Sequence, residues 1–169
     1  GFLANGDNYS SGTFMPVFSK YLKTVKDCGN RECEGDSAVD NGTGELEYNR
    51  SANYRTYNNN PMAMTSLDDG QFVIVDGMFF MIENDTTHYD GILYITVDVN
   101  GQYKKPNKWG HDLFTFQIVK SGKLLPMGAK GTSCENGENC SRTSTSRVNG
   151  MGCTYRALTE KNYFKNLPK

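Results

Sequence analysis

The sequence lacks any apolar run long enough to cross a membrane, because its longest hydrophobic stretch is roughly half of the ~20 residues that a spanning helix needs. It also lacks an excess of charge of either sign: 18 Lys and Arg face 19 Asp and Glu, which gives a net charge of −1. Such a balance indicates neither a specific nucleic-acid partner nor an acidic tail. The first residues, GFLANGDNYSSG, lack the charged start and apolar centre of a signal peptide. We therefore expect either a cytosolic chain or one whose targeting residues lie outside this sequence.

What the sequence does contain is enough for one folded domain over residues 1–169, with 37% hydrophobic and 12% aromatic residues. That content is too apolar for a disordered chain. The 18 glycines and the many asparagines favour turns, loops and short strands over long helices.

One segment has the spacing of a helix. In TFMPVFSKYLKTVKDCG the apolar residues recur at intervals of three and four, which is typical of a single helical face. Lys23 and Lys26 suit the last turn, and Cys28-Gly29 would end the helix. The pattern predicts a helix over residues 13–27. Residues 29–61 are polar and predict a long, mostly irregular connection with room for one short strand.

After Pro61 the pattern is typical of strands. Apolar and alternating runs predict strands near residues 62–66, 71–75, 78–83, 91–99 and 113–120. Turn signals at Asp68-Asp69-Gly70 and Asp76-Gly77 separate the first of them. The predicted fold is α+β: the N-terminal helix packs on an antiparallel meander over about residues 62–127, with long loops. A cysteine-containing loop begins at residue 129, and residues 153–164 could form a last strand or a short helix.

The cysteines lie in polar surroundings, where they are poor core residues and good partners for disulfides. No pair has the spacing of a zinc site. Cys28–Cys33 is the simplest bridge. For the C-terminal cysteines we favour Cys140–Cys153, which leaves Cys134 over. Cys134–Cys140 competes with that pairing, and free thiols in a cytosolic chain are the remaining alternative.

The loop VDVNGQYKKPNKWGHD, residues 97–112, is rich in oxygen donors. Asp98 and Asn100 follow a strand, Gln102 could add a backbone carbonyl, and Asp112 returns just before the next strand. Hard oxygen donors in this arrangement suit calcium better than zinc, although the spacing is not that of an EF-hand. The alternative is a turn whose Asp and Asn side chains bond to local amides.

Catalytic motifs are missing from the sequence, so we expect a protein that is not an enzyme. His88 and His111 are the only histidines, and each reads as a surface residue of a loop. Tyr103, Lys104 and Trp109 are candidates for surface contacts with a ligand.

The loop and its neighbours resemble a known family. ITVDVNGQYKKPNKWGHDLFTFQI resembles the segment D-[IV]-N-G-x-K-G-P-N-x-x-G-x-D-x-F-x-F of bacterial type IV pilin-like and type II secretion pseudopilin-like proteins. GKLLPMG follows it like their G-x-[LI]-x-P-x-G turn, and SLDDGQFVIV resembles their L-x-D-G strand. FSKYLKTVKDCGNRECE resembles a short helix that ends in K-x-C-G and a second cysteine. GMGCTYRALTEKNYF is similar to the tail G-x-G-C-T-A-x-[IV].

These landmarks span residues 14–164 in the order of the family, with two departures: Lys105 stands where a glycine is usual, and Tyr155 replaces a common alanine. The family's apolar, methylated N-terminal helix is not in this sequence. The resemblance therefore implies the head domain of a longer protein that is inserted in the inner membrane before assembly. It also implies an oxidising periplasm or cell surface, in line with disulfides.

The resemblance implies a structural subunit of a type IV filament or secretion pseudopilus, a major or minor pilin or a pseudopilin. Its partners would be other pilin or pseudopilin subunits, together with a host-surface or secreted-protein ligand. Residues 129–153 resemble the family's exposed disulfide region and are expected to make adhesive contacts. The resemblance also favours a structural calcium ion at Asp98, Asn100 and Asp112. The alternative is a free secreted, calcium-dependent module that binds carbohydrate or another ligand. A small secreted hydrolase is the third hypothesis.

Overall fold

A computed structural model describes residues 13–29, 33, 39–40, 46–47, 50–63, 67–84 and 93–169 of the chain. The helices are α1 (Met15–Phe18) and α2 (Thr154–Thr159), with short 3-10 helices at Ser19–Tyr21, Glu135–Gly137, Met151–Cys153 and Tyr163–Asn166. The strands are β1 (Thr24–Asp27), β2 (Val39–Asp40), β3 (Leu46–Glu47), β4 (Arg50–Arg55), β5 (Pro61–Ala63), β6 (Gly70–Ile74), β7 (Phe79–Glu83), β8 (Leu93–Asp98), β9 (Leu113–Ile118) and β10 (Leu124–Pro126). None of the helices in these ranges is long and apolar enough to cross a membrane.

Six strands form the main sheet in the order β1-β6-β7-β8-β9-β10, and every pairing in it is antiparallel. Strands β6 to β10 are neighbours in both sequence and space, as the predicted meander requires. Two further pairs, β2–β3 and β4–β5, form small two-stranded sheets. Helix and sheet are therefore mixed, with an antiparallel sheet dominating and α1 and α2 both short.

The predicted helix over residues 13–27 is wrong for most of its length. The α-helix stops at Phe18, and Thr24–Asp27 forms the edge strand β1. Tyr21 and Val25, which the helical face should have buried, are 73% and 63% exposed. The edge of the sheet offers this segment an alternative set of backbone hydrogen bonds, among them Val75 N to Lys23 O at 2.9 Å. β-Branched residues near the end of the segment also suit a strand better than a helix.

The boundaries of the predicted sheet need two corrections. β1 belongs to it, although it lies far upstream of residue 62, and β5 pairs with β4 instead of joining it. The connection over residues 29–61 contains the six-residue strand β4, more regular structure than its polar sequence indicates. Residues 153–164 form short helices and no strand. Predicted strand residues 64–66 and 91–92 lie outside the described ranges.

The two faces of the main sheet are packed differently. One face lies under Tyr54, Trp109 and the C-terminal loops, which together form the larger cluster of buried residues. The other face is covered by Phe14, Met15 and their neighbours in the N-terminal turns. Strand β9 shows the difference residue by residue: Leu113, Thr115 and Gln117 are buried, whereas Phe114, Phe116 and Ile118 are half-buried. At β9 the second face is thus apolar and half-buried, whereas Phe72, Ile82 and Ile95 in the same cluster are buried.

Candidate functional site

The loop between β8 and β9, residues 99–112, is closed at its mouth by the sheet itself. Asp98 and Leu113 are direct partners across the two strands. One residue further out, Val99 N donates to Asp112 O at 3.0 Å. Asn100 bridges the two carboxylates: its backbone N–H donates to Asp98 Oδ1 at 3.2 Å, and its Nδ2 donates to Asp112 Oδ2 at 3.3 Å. The loop thus brings three predicted site residues, Asp98, Asn100 and Asp112, together.

Asp98 is fully buried, and both of its carboxylate oxygens accept hydrogen bonds. Oδ2 accepts from the Tyr54 hydroxyl at 2.8 Å, and Oδ1 also accepts from Gly101 N at 3.0 Å. Burial raises the pKa of Asp98, and the Tyr54 hydrogen bond opposes that rise. Gly101 is required here because its φ is +82° and a Cβ would lie 2.4 Å from the carbonyl oxygen of Gly77.

Asp112 holds the other end of the loop as the acceptor for a tight turn. Its Oδ1 accepts from Lys108 N at 2.7 Å and its Oδ2 from Asn107 N at 2.8 Å. Asn107 is buried with φ of +50°, a conformation that asparagine adopts more readily than most residues. Its Nδ2 donates to Gln102 O at 2.8 Å, so the backbone carbonyl predicted as a metal ligand accepts a side-chain amide.

Strand β4 is joined to the same loop. Arg55 N donates to Asn107 O at 2.9 Å, and Trp109 N donates to Arg55 O at 3.0 Å, which makes a short parallel bridge. With the Tyr54–Asp98 hydrogen bond, the loop connects β4, β8 and β9. We refer to residues 98–112 as the clamp loop.

The prediction that Trp109 makes surface contacts with a ligand is wrong. Its side chain is fully buried, and Nε1 donates to Thr115 Oγ1 at 3.1 Å, which in turn shares a hydrogen bond with Thr96 Oγ1 at 2.8 Å. A large aromatic ring with its one donor satisfied is a core residue. Tyr103, by contrast, is 87% exposed, and Lys104 beside it is exposed as well.

His111 is partly buried, which corrects its prediction as a surface residue, and its ring meets that of Tyr57 edge-on at 5.7 Å. Burial lowers the pKa of His111, and the positive charge of Lys108 lowers it further. Its Nε2 is buried and has no hydrogen-bond partner in the described part of the chain. His88 lies outside the described residues.

Two side-chain oxygens in the clamp loop have the character of cation ligands. Asn100 Oδ1 and Asn107 Oδ1 are buried and accept no hydrogen bond within the described ranges. Amide and carboxylate oxygens are the donors that calcium prefers. The two Asp carboxylates are already bonded to N–H and O–H donors, and no group of three His, Cys, Asp or Glu side chains in the described residues is arranged to hold a metal. A cation at this loop would therefore have to use the two amide oxygens together with carboxylates whose oxygens already accept hydrogen bonds.

The disulfide predictions are confirmed. Cys28 pairs with Cys33, Cys140 pairs with Cys153, and Cys134 is a buried free thiol. Burial raises the pKa of Cys134, while a hydrogen bond from Asn139 Nδ2 opposes the rise.

The loop that Cys140 and Cys153 close is also held from inside by Asn149. This side chain is fully buried and bonds at 2.9 Å and 2.7 Å to the backbone of Ser141 and at 3.0 Å to Asn58. The segment is therefore tied to the turn after β4 as well as to itself.

Sequence reasoning missed Tyr54 and Asn149, and it placed Asn107 in the loop without giving it a role. Asn107 carried a signal, since it follows a proline and precedes Lys-Trp-Gly in a loop where a left-handed residue is useful. Tyr54 carried none, because its partner is 44 residues away.

Comparisons of the chain with family models, curated proteins and solved structures find no match.

Proposed function

We propose that this chain is the globular head of a type IV pilin-like or type II secretion pseudopilin-like filament subunit, with a structural role. The supporting observation is where the residues of the resemblance lie. The motif positions Asp98, Gly101, Asn107, Gly110 and Asp112 are all buried in the clamp loop. The side chains of Asp98, Asn107 and Asp112 bond mainly to backbone groups of the loop, and the Tyr54 hydroxyl adds a contact from β4. This is the role of a structural frame and not of a reaction centre.

The partly covered face of the main sheet supports an assembly role. Phe80, Val97 and Ile118 are half-buried beside the short N-terminal turns. Phe116 is half-buried as well, and so is Phe114, which meets Phe164 of the C-terminal segment edge-on. Contiguous apolar surface that is not fully covered marks a site of further association. In the proposed filament this face would receive apolar segments of the assembly, while the loop over residues 129–153 would face outward for adhesion.

We further propose that the clamp loop holds a structural calcium ion through Asp98, Asn100, Asn107 and Asp112. An ion there would satisfy the two orphaned amide oxygens and offset the repulsion between the two carboxylates. Binding only to the folded head would stabilise it by mass action.

The proposed function is tested on the native protein from its source cells, either sheared from the surface or extracted from membranes. The measurement is mass spectrometry of the mature N-terminus. A methylated residue that begins an apolar segment upstream of Gly1, in a protein that sediments with filaments, is the expected result. A mature chain that begins near Gly1 without such a segment would overturn the proposal.

The alternative, a free secreted ligand-binding module, keeps one favourable observation: Tyr103 is 87% exposed beside exposed lysines on the clamp loop. Burial of Trp109 removes the second aromatic that a carbohydrate platform would use. A mature N-terminus near Gly1 would favour this module.

A further inference from the structure

The sequence contains five Asn-Gly pairs, and three of them lie in the described residues: Asn100-Gly101, Asn136-Gly137 and Asn149-Gly150. Such a pair is chemically labile, because glycine has no side chain to keep its backbone nitrogen away from the amide carbon of the preceding asparagine. Attack by that nitrogen requires the asparagine side chain to rotate and the glycine N–H to leave any hydrogen-bond acceptor. The three pairs differ in both respects.

The Asn149-Gly150 pair is fixed in the interior. Asn149 is fully buried, and its Nδ2 donates to Asn58 Oδ1 at 3.0 Å and to Ser141 O at 2.7 Å. The backbone N–H of Gly150 donates to Asn139 O at 2.6 Å. The reaction would have to break all of these bonds in a buried place, so the fold opposes it here.

The Asn100-Gly101 pair is held by the two carboxylates of the clamp loop. Asn100 Nδ2 donates to Asp112 Oδ2 at 3.3 Å, and Gly101 N donates to Asp98 Oδ1 at 3.0 Å. A hydrogen bond to a carboxylate is stronger than one to a neutral acceptor. It also opposes loss of the proton that the glycine nitrogen must give up before it can attack. This pair is therefore protected as well.

The Asn136-Gly137 pair lies in an exposed turn. Asn136 is exposed, and its side chain makes no hydrogen bond within the described part of the chain. Nothing lies within 4 Å of a Cβ built on Gly137, so the pair is open on that side. The N–H of Gly137 belongs to the short 3-10 helix Glu135–Gly137, whose middle residue has a left-handed φ of +64° instead of a helical one. A single distorted turn of this kind opens at little cost.

We propose that Asn136 is a site of spontaneous deamidation in the folded protein and that the fold protects Asn100 and Asn149. The backbone nitrogen of Gly137 gives its proton to solvent and attacks Cγ of Asn136. A C–N bond forms, the bond from Cγ to Nδ2 breaks, and ammonia leaves with a proton taken from solvent. Water then opens the cyclic imide to aspartate or isoaspartate. The net change adds one water and releases one ammonia, with no oxidation or reduction.

The product would change the charge of the turn. Deamidation places a third carboxylate between Glu135 and Glu138 and changes the net charge of the chain from −1 to −2. Glu135 Oε2 accepts a hydrogen bond from Gly131 N at 2.9 Å, so the new charge would act on a contact that helps to close the turn. This inference does not depend on the proposed function. It adds a slow, irreversible change of charge to the loop over residues 129–153.

The experiment follows each pair separately in the folded 169-residue chain. The protein is incubated at mildly alkaline pH in water that carries heavy oxygen, digested at acidic pH and mapped by mass spectrometry. We expect Asn136 to convert first, with uptake of one heavy oxygen atom. Asn100 and Asn149 should convert at least about tenfold more slowly, because they wait for local opening. In guanidinium chloride, which removes the fold, the three rates should approach one another.

Three variants identify the reaction. Gly137→Ala adds a methyl group beside the attacking nitrogen and should slow conversion of Asn136 without changing the rates at Asn100 and Asn149. Asn136→Gln should lack the acidic species that forms first on isoelectric focusing. Asn136→Asp should migrate with that species from the start. Circular dichroism checks that each variant is folded.

Equal rates at the three described pairs in the folded chain would overturn the proposal, because the fold would then protect neither Asn100 nor Asn149. Conversion of either of these two before Asn136 would overturn it as well. The same order and spread of rates in guanidinium chloride would assign the selectivity to neighbouring sequence instead of to the fold, and the proposal would fall. The pairs at residues 5–6 and 41–42 lie outside the described residues and do not enter the comparison.

Discussion

The hydroxyl of Tyr54 donates a hydrogen bond of 2.8 Å to Oδ2 of Asp98, 44 residues further along the chain, and both side chains are fully buried. This bond joins β4 to the end of β8 at the point where the clamp loop begins. A buried carboxylate needs such donors, because burial without them costs several kcal/mol. Tyr54 therefore supplies part of what allows Asp98 to ionise inside the protein.

Tyr54→Phe should lower the free energy of unfolding by about 1–3 kcal/mol at pH 7, because a buried acceptor loses its donor. Urea unfolding at several pH values measures this. Burial raises the pKa of Asp98, so the folded state holds this proton more tightly than the unfolded state does. This group's contribution to stability is accordingly lost as pH rises through the folded pKa.

Removal of the Tyr54 hydroxyl should raise the pKa of Asp98 further and move the loss of stability to higher pH. Asp98→Asn is the control, because it cannot ionise yet keeps an oxygen for the N–H donors of Asn100 and Gly101. The pH dependence of the stability of Asp98→Asn should lack the component that comes from the titration of Asp98. An identical pH profile in Tyr54→Phe and in the unaltered protein would contradict the account.

Gly150→Ala should be among the most damaging single-methyl additions. The φ of Gly150 is +112°, and a Cβ would lie 2.5 Å from Trp109 Cβ and 3.0 Å from Tyr57 Cβ. Neither neighbour is a flexible end that could move away, so we expect a loss of about 2–4 kcal/mol, in the range of overpacked cores combined with backbone strain. Thermal or urea unfolding gives the value.

Gly137→Ala is the matched control for that substitution. Its φ of +81° is also left-handed, but nothing lies within 4 Å of the added Cβ. The cost should be backbone strain alone, about 1–2 kcal/mol. Equal losses at the two positions would show that the packing against Trp109 contributes nothing.

The strands of the meander could be predicted from the sequence because their signal is local. Alternation in LFTFQI marks β9, and the turn residues at Asp76-Gly77 mark the bend between β6 and β7. The helix prediction failed for the opposite reason. The spacing of apolar residues does not distinguish a helix from a segment that pairs with the edge of a sheet. Val25 fits either structure, and the pairing of its segment with Ile74 and its neighbours decides for the strand.

The candidate site divides in the same way. Asp98, Asn100 and Asp112 were found because turn and ligand residues cluster in one short loop. Trp109 was misplaced because a loop sequence gives no indication that its tryptophan folds back beneath the sheet to reach Thr115. Tyr54 could not be found at all, since contacts between distant segments leave no pattern in a single sequence.

Calcium should raise the melting temperature of the head, and a chelator should reverse the change. Within the described ranges, Asn100 Oδ1 and Asn107 Oδ1 of the clamp loop accept no hydrogen bond, so a bound ion would give each amide oxygen a partner. At a concentration 100 times the dissociation constant, binding would add about 2.7 kcal/mol. Differential scanning fluorimetry with calcium, magnesium and EDTA measures the shift.

Asn100→Ala separates a site from a general effect of salt. It removes one amide oxygen and should lower the affinity for calcium. Thr145→Ala alters an exposed residue of another loop and should leave the shift unchanged. No shift in the unaltered protein, or equal shifts in all three proteins, would remove calcium from the clamp loop.

His111 should make the protein less stable in mild acid. Burial and Lys108 lower its pKa, so the unfolded chain binds a proton that the folded chain excludes. Stability is therefore lost as pH falls below about 6.5, the usual value for histidine. His111→Gln cannot titrate and should show a flatter dependence between pH 7 and pH 5 by urea unfolding. An unchanged slope in that variant would assign the acid sensitivity to other groups.

The two disulfides should contribute unequally to the free energy of unfolding. The chain-entropy relation predicts about 3 kcal/mol for Cys140–Cys153, with a sequence separation of 13, and about 2 kcal/mol for Cys28–Cys33, with a separation of 5. Replacing each pair by alanine and measuring urea unfolding tests the order. Cys134→Ala is the control, because it removes a sulfur atom without opening a loop, and its cost should be only about 1 kcal/mol.

The free thiol gives a second, independent measurement of the same pairing. Cys134 is 3% exposed, and burial raises its pKa, so little reactive thiolate reaches solvent in the folded protein. Iodoacetamide should label no cysteine in the native state and one in urea without reductant, and peptide mapping should place that label on Cys134. A label on Cys140 or Cys153 would show that the C-terminal cysteines pair differently. The expected difference in stability between the two disulfides, which rests on the Cys140–Cys153 pairing, would then no longer follow.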